Sequence, residues 1–232
     1  MKKQTTRTNP DIPIIYEDNH LLVIDKPAGV LSQEDHTGDL DVLRLCKQYI
    51  KKKYKKPGDV WLGLVHRLDR PVSGLMVLAK TSKAASRLSE EVRKNRMDKT
   101  YWALVHGMAP MEANLIHFLE KDKKTNLVKA RNAKTKGGKE AKLNFKTIKQ
   151  SKDYSVLEID LETGRPHQIR VQLEKIGHPI FGDYKYGEED SGPGKNMGLR
   201  SMKLSFKHPT LDKVMKFSVK PPKQQPWDIF DY

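Results

Sequence analysis

The run His66-Arg67-Leu68-Asp69-Arg70-Pro71-Val72-Ser73-Gly74-Leu75 sets one carboxylate between two arginines. Apolar stretches, Val60 to Val65 and Leu75 to Ala79, flank it on either side. A carboxylate beside cations stays ionised, because opposite charge nearby lowers its pKa. Asp69 therefore suits an anionic nucleophile or a charge stabiliser better than a general acid, which needs a raised pKa. Taken alone, the same stretch also fits a surface turn between two strands with solvated charges. Two neighbouring patterns carry no chemistry. Val72-Ser73-Gly74 lacks the glycine that a nucleophile elbow places two residues before its serine. Gly138-Lys139 is followed by Glu140 where a phosphate-binding loop needs Ser or Thr. The eight histidines show no pair at ligand spacing on one helix, so no metal site is predicted.

The elements that must hold these residues alternate between strand and helix. Ile14 to Asp18 and Leu21 to Asp25 read as two strands joined at Asn19-His20, and Lys26-Pro27-Ala28-Gly29 ends the second. A helix is predicted over Asp41 to Lys53, with lysines at its C-terminal end complementing the dipole. Leu62 to Val65 and Leu75 to Ala79 are strand-like runs around the Asp69 loop. Ala85, Leu88 and Val92 recur at helical spacing in Ser82 to Lys94, with Ser82 as the expected N-cap. Further strands are predicted at Thr100 to Val105, Tyr154 to Leu161, Leu204 to Phe206 and Lys216 to Val219. Gln168 to Lys175 reads as a helix starting near His167. Residues 121–142 read as a basic hairpin reaching into solvent, with Gly137-Gly138 at its turn and nine Lys or Arg against Asp122 and Glu140. Residues 183–198 read as a glycine-rich loop.

The chain is long enough for one substantial core, and no linker or internal repeat divides it. We expect a loose arm over residues 1–11, one α+β domain over 12–221, and a tail over 222–232 after Pro221-Pro222. Lys and Arg number 44 against 29 Asp and Glu, a formal charge of +15. That balance predicts a polyanionic partner. RNA or DNA is favoured over a membrane, because no apolar run approaches the roughly 20 residues of a bilayer span. Basic residues at the N-terminus have no apolar segment behind them, so no secretory signal is expected and a cytoplasmic site is. The single cysteine, Cys46, excludes an intramolecular disulfide and lies on an amphipathic helical pattern, which predicts a small buried residue.

Four ordered blocks converge on one family. They are Tyr16-Glu17-Asp18 with Val23-Ile24-Asp25-Lys26-Pro27-Ala28-Gly29, then Val65-His66-Arg67-Leu68-Asp69-Arg70 with Ser73-Gly74 and Ala79-Lys80, then Lys99-Thr100-Tyr101-Trp102-Ala103-Leu104-Val105-His106-Gly107, and last Gly164-Arg165-Pro166-His167-Gln168-Ile169-Arg170-Val171-Gln172 with Gly177-His178-Pro179-Ile180-Phe181-Gly182-Asp183. Together they resemble the RluA family of RNA pseudouridine synthases, from about Ile14 to Val219. Pro71-Val72 and Pro166 depart from the residues common in that family. An N-terminal RNA-binding module carried by larger relatives is expected to be absent, which leaves binding to the catalytic domain.

The resemblance implies an α+β pseudouridine synthase fold, a central mixed, mostly antiparallel sheet flanked by helices and loops around a basic cleft. It implies that Asp69 attacks the target uridine, at the ribose or the base, that Tyr101 packs against that base, and that Arg170 pairs with Asp69, with Arg165 of the same segment as the alternative partner. The base then leaves its nitrogen linkage, rotates, and rejoins the sugar through carbon. No redox step or group transfer is involved, so no cofactor and no metal are implied. Arg67 aligns with an arginine that fills the space of the flipped uridine, where a planar guanidinium can stack. His66, Arg165, His167 and Gln168, with Lys123, Lys129 and Lys136 of the insertion and the lysines of Lys47–Lys56, are expected to contact RNA. The expected partner is a structured ribosomal or transfer RNA, bound by a monomer. A catalytically idle RNA-binding protein and an aspartate-dependent hydrolase are the alternatives.

Overall fold

Every residue of the strand Ser73–Ala79 is buried, which a sheet allows only where both of its faces are covered. A computed structural model of the chain describes residues 11–122, 124–187 and 197–231. The strands in chain order are β1 (Ile14–Glu17), β2 (Leu21–Lys26), β3 (Gly63–Leu64), β4 (Ser73–Ala79), β5 (Asp98–His106), β6 (Glu112–Lys121), β7 (Val128–Arg131), β8 (Lys139–Gln150), β9 (Tyr154–Leu161), β10 (Leu199–Lys207) and β11 (Val214–Ser218). Helices α1 (Val42–Lys53), α2 (Ser82–Arg93) and α3 (Gln168–Lys175) complete the set. One sheet runs β1-β2-β4-β10-β5-β9-β8-β6-β7, with β11 beside β10 and β3 beside β4. Among the strands of the described residues only β4 and β10 pair in parallel. The mixed, mostly antiparallel α+β architecture expected from the sequence is the one observed.

Alternation along β2 and β4 divides the core. Leu22, Ile24, Met76 and Leu78 join Val42, Leu45, Cys46 and Ile50 of α1, and the same cluster continues to Ile169 and Leu173 of α3. Leu21, Val23, Leu75 and Val77 face the other way, onto Ala84 and Leu88 of α2. Helices α1 and α3 thus lie on the face that carries Tyr101. Asp41 caps α1 by accepting the Arg44 N–H at 3.1 Å. The cap of α2 is Thr81, whose hydroxyl accepts the Ala84 N–H at 3.2 Å, and not Ser82, which is the first helical residue. Cys46 is buried, and burial pushes its thiol up to about 12, the inert core role expected of it.

The parallel pair depends on one glycine. Gly74 has φ +112° and stands so close to Ser201 that a Cβ there would lie 2.2 Å from the Ser201 carbonyl oxygen. Ser201 in turn pairs with Tyr101 across β5. This contact, open only to a residue without a side chain, sets Tyr101 two strands away from the loop that carries Asp69.

Residues 121–142 differ from the expected solvent hairpin. Strands β6 and β8 extend the main sheet on either side of them, and neither was predicted. Leu119, Val128 and Ala141 are buried against Val171 of α3, so the insertion is seated on the domain. The turn at Gly137-Gly138 is where it was expected, closed by Gly138 N–H to Thr135 O at 3.0 Å. Packing also continues past Pro221-Pro222, since Trp227 is buried in a short 3₁₀ turn. Residues 1–10, and most of the loop expected at 183–198, lie outside the described residues.

Candidate active site

Asp69 sits in the loop between β3 and β4, and the first sequence block pins that loop from behind. Lys26, fully buried, donates from Nζ to three carbonyls, Val30 at 2.7 Å, Pro27 at 3.0 Å and Arg70 at 3.1 Å. Three acceptors match the three hydrogens of an ammonium. Burial lowers the Lys26 pKa to about 7, against the pull of the Asp69 charge. Ser32 clamps Leu68 on both sides, accepting its N–H and donating to its carbonyl. The loop closes with Val72 N–H to Asp69 O at 3.0 Å.

The charges that hold the Asp69 carboxylate are not its sequence neighbours. Arg70 turns away to Asp39 at 2.6 Å and to the Gly29 carbonyl. Arg67 is exposed. The partner is Arg170 of α3, whose Nη1 donates to Asp69 Oδ2 at 3.0 Å. Arg170 is itself gripped by Asp183, Nε to Oδ2 and Nη2 to Oδ1, both at 2.7 Å. Asp183 is 1 % exposed and also accepts the N–H groups of Lys185 and Tyr186. Burial works against the guanidinium charge, but Asp183 and then Asp69 outweigh it and raise the Arg170 pKa. Among the described residues no hydrogen bond reaches Asp69 Oδ1.

Tyr101 projects from β5 into the same cleft. Burial, reinforced by the Asp69 charge, raises its phenol pKa, so the ring presents a neutral face and a protonated OH. The cleft is about 730 Å³ and is lined by Arg67, Lys99, Lys121 and Arg165 besides Asp69, Tyr101 and Arg170, with Glu34 and Asp35 also at its wall. Burial lowers the Lys99 pKa, which marks a cation set partly inside the cleft.

The other expected RNA contacts divide three ways. Arg67 and Arg165 line the cleft, Arg165 resting its Nε on the Glu140 carbonyl at 3.0 Å. Gln168 is buried and braces the chain. Its Oε1 accepts from Thr163 and from Arg165 N–H, and one Nε2 hydrogen goes to Lys142 O, so three of the four hydrogen-bonding positions of its amide are taken within the chain, while the residue also lines the cleft. His66 accepts the Val77 N–H on Nε2 at 3.0 Å, and burial lowers its pKa to about 3, a neutral bracket between loop and strand. Lys129 and Lys136 are exposed but lie outside the cleft lining, where Lys121 and Asn126 represent the insertion instead. Lys123 lies outside the described residues.

His167 is the displaced member of the set. It stands at the N-cap of α3 in a left-handed conformation, φ 54°, ψ 19°, and turns Nε2 to 3.9 Å from Asp69 Oδ2. A non-glycine residue pays about 1–2 kcal/mol for that conformation. Its Nδ1 lies 2.6 Å from the Tyr186 hydroxyl, and the Tyr186 ring covers Arg170 with 5.0 Å between guanidinium carbon and ring centroid. Asp183 and Tyr186 were missed as site residues. Asp183 falls within the fourth block, which was the available signal, while nothing in the sequence links Tyr186 to Arg170.

A family model described as RNA pseudouridylate synthase matches residues 20–175. Ribosomal large subunit pseudouridine synthase C of Buchnera aphidicola subsp. Schizaphis graminum is 36% identical over 216 residues, 87% of this chain and 65% of that protein. Ribosomal large subunit pseudouridine synthase D of Neisseria meningitidis serogroup A is 31% identical over 222 residues, 89% of this chain and 57% of that protein. The chain therefore spans between about half and two thirds of these relatives. Among solved structures, human RNA pseudouridylate synthase domain containing 1 superposes with a TM-score of 0.77 at 22% identity, covering 96% of this chain and 90% of that one, a likeness of fold.

Proposed function

The chain belongs to the RNA pseudouridylate synthase family, and from that premise we propose that it isomerises uridine to pseudouridine in ribosomal RNA. It would do so as a cytoplasmic monomer. The observation that carries the reading is Asp69 itself. Its carboxylate is held through one oxygen by Arg170 and open at the other, beside Tyr101, in a cleft edged by cations. An anion with a fixed orientation, a flat aromatic wall and a basic rim are what attack on a flipped nucleotide needs.

Arg170, locked by Asp183, orients the Asp69 carboxylate and keeps it ionised. Tyr101 gives the base a stacking surface. Extruding the uridine costs a few kcal/mol, and the exposed Arg67 guanidinium recovers part of this by stacking where the base has left. The bond from the sugar to the base nitrogen breaks and one to carbon forms. A proton leaves that carbon and one arrives on the nitrogen, so the product is an isomer and nothing is transferred. Lys99, Lys121 and Arg165 neutralise phosphates around the flipped nucleotide.

The names of the relatives favour ribosomal over transfer RNA. Pseudouridine mapped across total RNA, with and without the gene, tests both reaction and substrate. One or a few ribosomal positions should lose the modification and regain it on return of the gene. A change confined to transfer RNA overturns the substrate, and no change at any position, together with no conversion by the purified protein, overturns the reaction.

A further inference from the structure

Tyr186 touches both groups that face the Asp69 carboxylate. Its ring lies over Arg170, and its hydroxyl lies 2.6 Å from His167 Nδ1. The same oxygen accepts the Val128 N–H at 2.9 Å. With one lone pair taken by Val128, the hydroxyl hydrogen is satisfied among the described residues by donating to His167 Nδ1. With Nδ1 as the acceptor, a neutral imidazole carries its hydrogen on Nε2. Nε2 is the nitrogen turned toward Asp69 Oδ2.

We propose that Tyr186 is a positioning residue that fixes the His167 tautomer, so that an N–H rather than a lone pair faces the Asp69 carboxylate. The other tautomer would point a lone pair at the anion and push the two side chains apart. Here His167 and Arg170 both address Oδ2, and Oδ1 stays open to the cleft. The left-handed backbone of His167 is the second sign, since a chain holds that conformation only where its surroundings impose it. Charged groups around the ring are Asp69, Arg170, Lys185 and Lys121. Burial and the three cations outweigh Asp69 and lower the His167 pKa, which keeps the ring neutral and makes the tautomer matter. Lys185, next to Tyr186, donates to the Asn126 carbonyl at 2.7 Å and holds this segment against the β6–β7 turn.

This inference rests on Asp69 being the reacting group, so one of its two arms does not involve the reaction. In the first arm, nitrogen NMR of the full-length protein reads the His167 tautomer. The wild type should show Nε2 protonated and Nδ1 bare, and Tyr186→Phe should redistribute the proton between them while keeping the ring over Arg170. In the second, single-turnover conversion is measured on RNA from cells lacking the gene. Tyr186→Phe should slow it by about tenfold, as loss of an orienting partner does, with RNA affinity unchanged. A wild-type ring protonated on Nδ1, or a Tyr186→Phe protein with the wild-type tautomer and rate, overturns the proposal. If the wild type converts no uridine while the tautomer behaves as stated, the functional reading falls and the Tyr186–His167 assignment stands.

Discussion

Asp183 holds Arg170 along one edge of the guanidinium, two contacts of 2.7 Å, and so directs the remaining nitrogen, Nη1, at Asp69. The pair is buried on both sides, 4 % and 1 % exposed. A buried ion pair need not stabilise a fold, but breaking one leaves an uncompensated charge inside it.

Arg170→Ala should therefore destabilise by about 3–5 kcal/mol, while Arg170→Met with Asp183→Leu should recover most of that loss and still be inactive. Denaturant melts of the single and double variants measure this. Equal destabilisation by both would mean that Asp183 is paired elsewhere and does not aim Arg170.

Affinity should follow the cleft lining. Arg67→Gln, Lys121→Gln and Arg165→Gln should each weaken RNA binding and flatten the log–log salt dependence by about 0.7–0.9 per lost phosphate contact. Lys129→Gln and Lys136→Gln, exposed but outside the cleft, should change it less. Filter binding across a salt series decides, and a larger slope change for the second pair would move the RNA path onto the outer face of the insertion.

Acid should unfasten β1 from α1. Glu17 accepts from Lys53 and Lys80 at 2.7 Å and from Tyr54 and Tyr49 at 2.9 and 3.0 Å. Burial raises its pKa, but these four donors together lower it from 4.5 to about 2. A folded pKa below the unfolded one contributes stability above pH 4.5 that disappears as pH falls toward 2. The full shift corresponds to about 3 kcal/mol, less in practice because Lys53 is 46 % exposed and its contact is screened. Stability of Glu17→Gln measured against the wild type should converge with it across that window. Parallel curves would assign the acid sensitivity to another group.

His167 offers a test of backbone strain. Gly and Ala both remove the imidazole, but only Gly adopts the left-handed conformation freely. His167→Gly should melt above His167→Ala by a difference of about 1 kcal/mol, with activity reduced alike in both. Equal stability would show that the helix start relaxes to ordinary backbone once the ring is gone.

The residues proposed for the reaction were legible because they stand in ordered blocks. Asp69, Tyr101 and Arg170 lie on different elements, and the fold brings them to one cleft. Strands β2 and β4 were legible as apolar runs, β9 by its alternation, and α1 and α2 by apolar residues at helical spacing. Strands β6 and β8 went unread although Ala141, Leu143 and Phe145 of β8 alternate with Lys142, Asn144 and Lys146, because β8 begins inside the basic stretch 121–142, whose charge run pointed to a solvent hairpin. Proximity within a motif also misled. Arg70 adjoins Asp69 yet binds Asp39, and Gln168 lines the cleft yet commits its amide oxygen and one amide hydrogen to the chain. Which of two neighbouring polar residues faces a ligand is decided by backbone direction, and the motif alone does not carry it.

Asp69→Asn tests the central claim most directly, because it keeps the shape of the side chain and removes the charge that Arg170 holds. Single-turnover pseudouridine formation on RNA from cells lacking the gene should fall by at least ~10³, judged from other removals of a nucleophile, with RNA affinity and melting temperature close to wild type. A variant that still forms pseudouridine at more than a few per cent of the wild-type rate would contradict the account, and the reacting group would have to be sought elsewhere in the cleft.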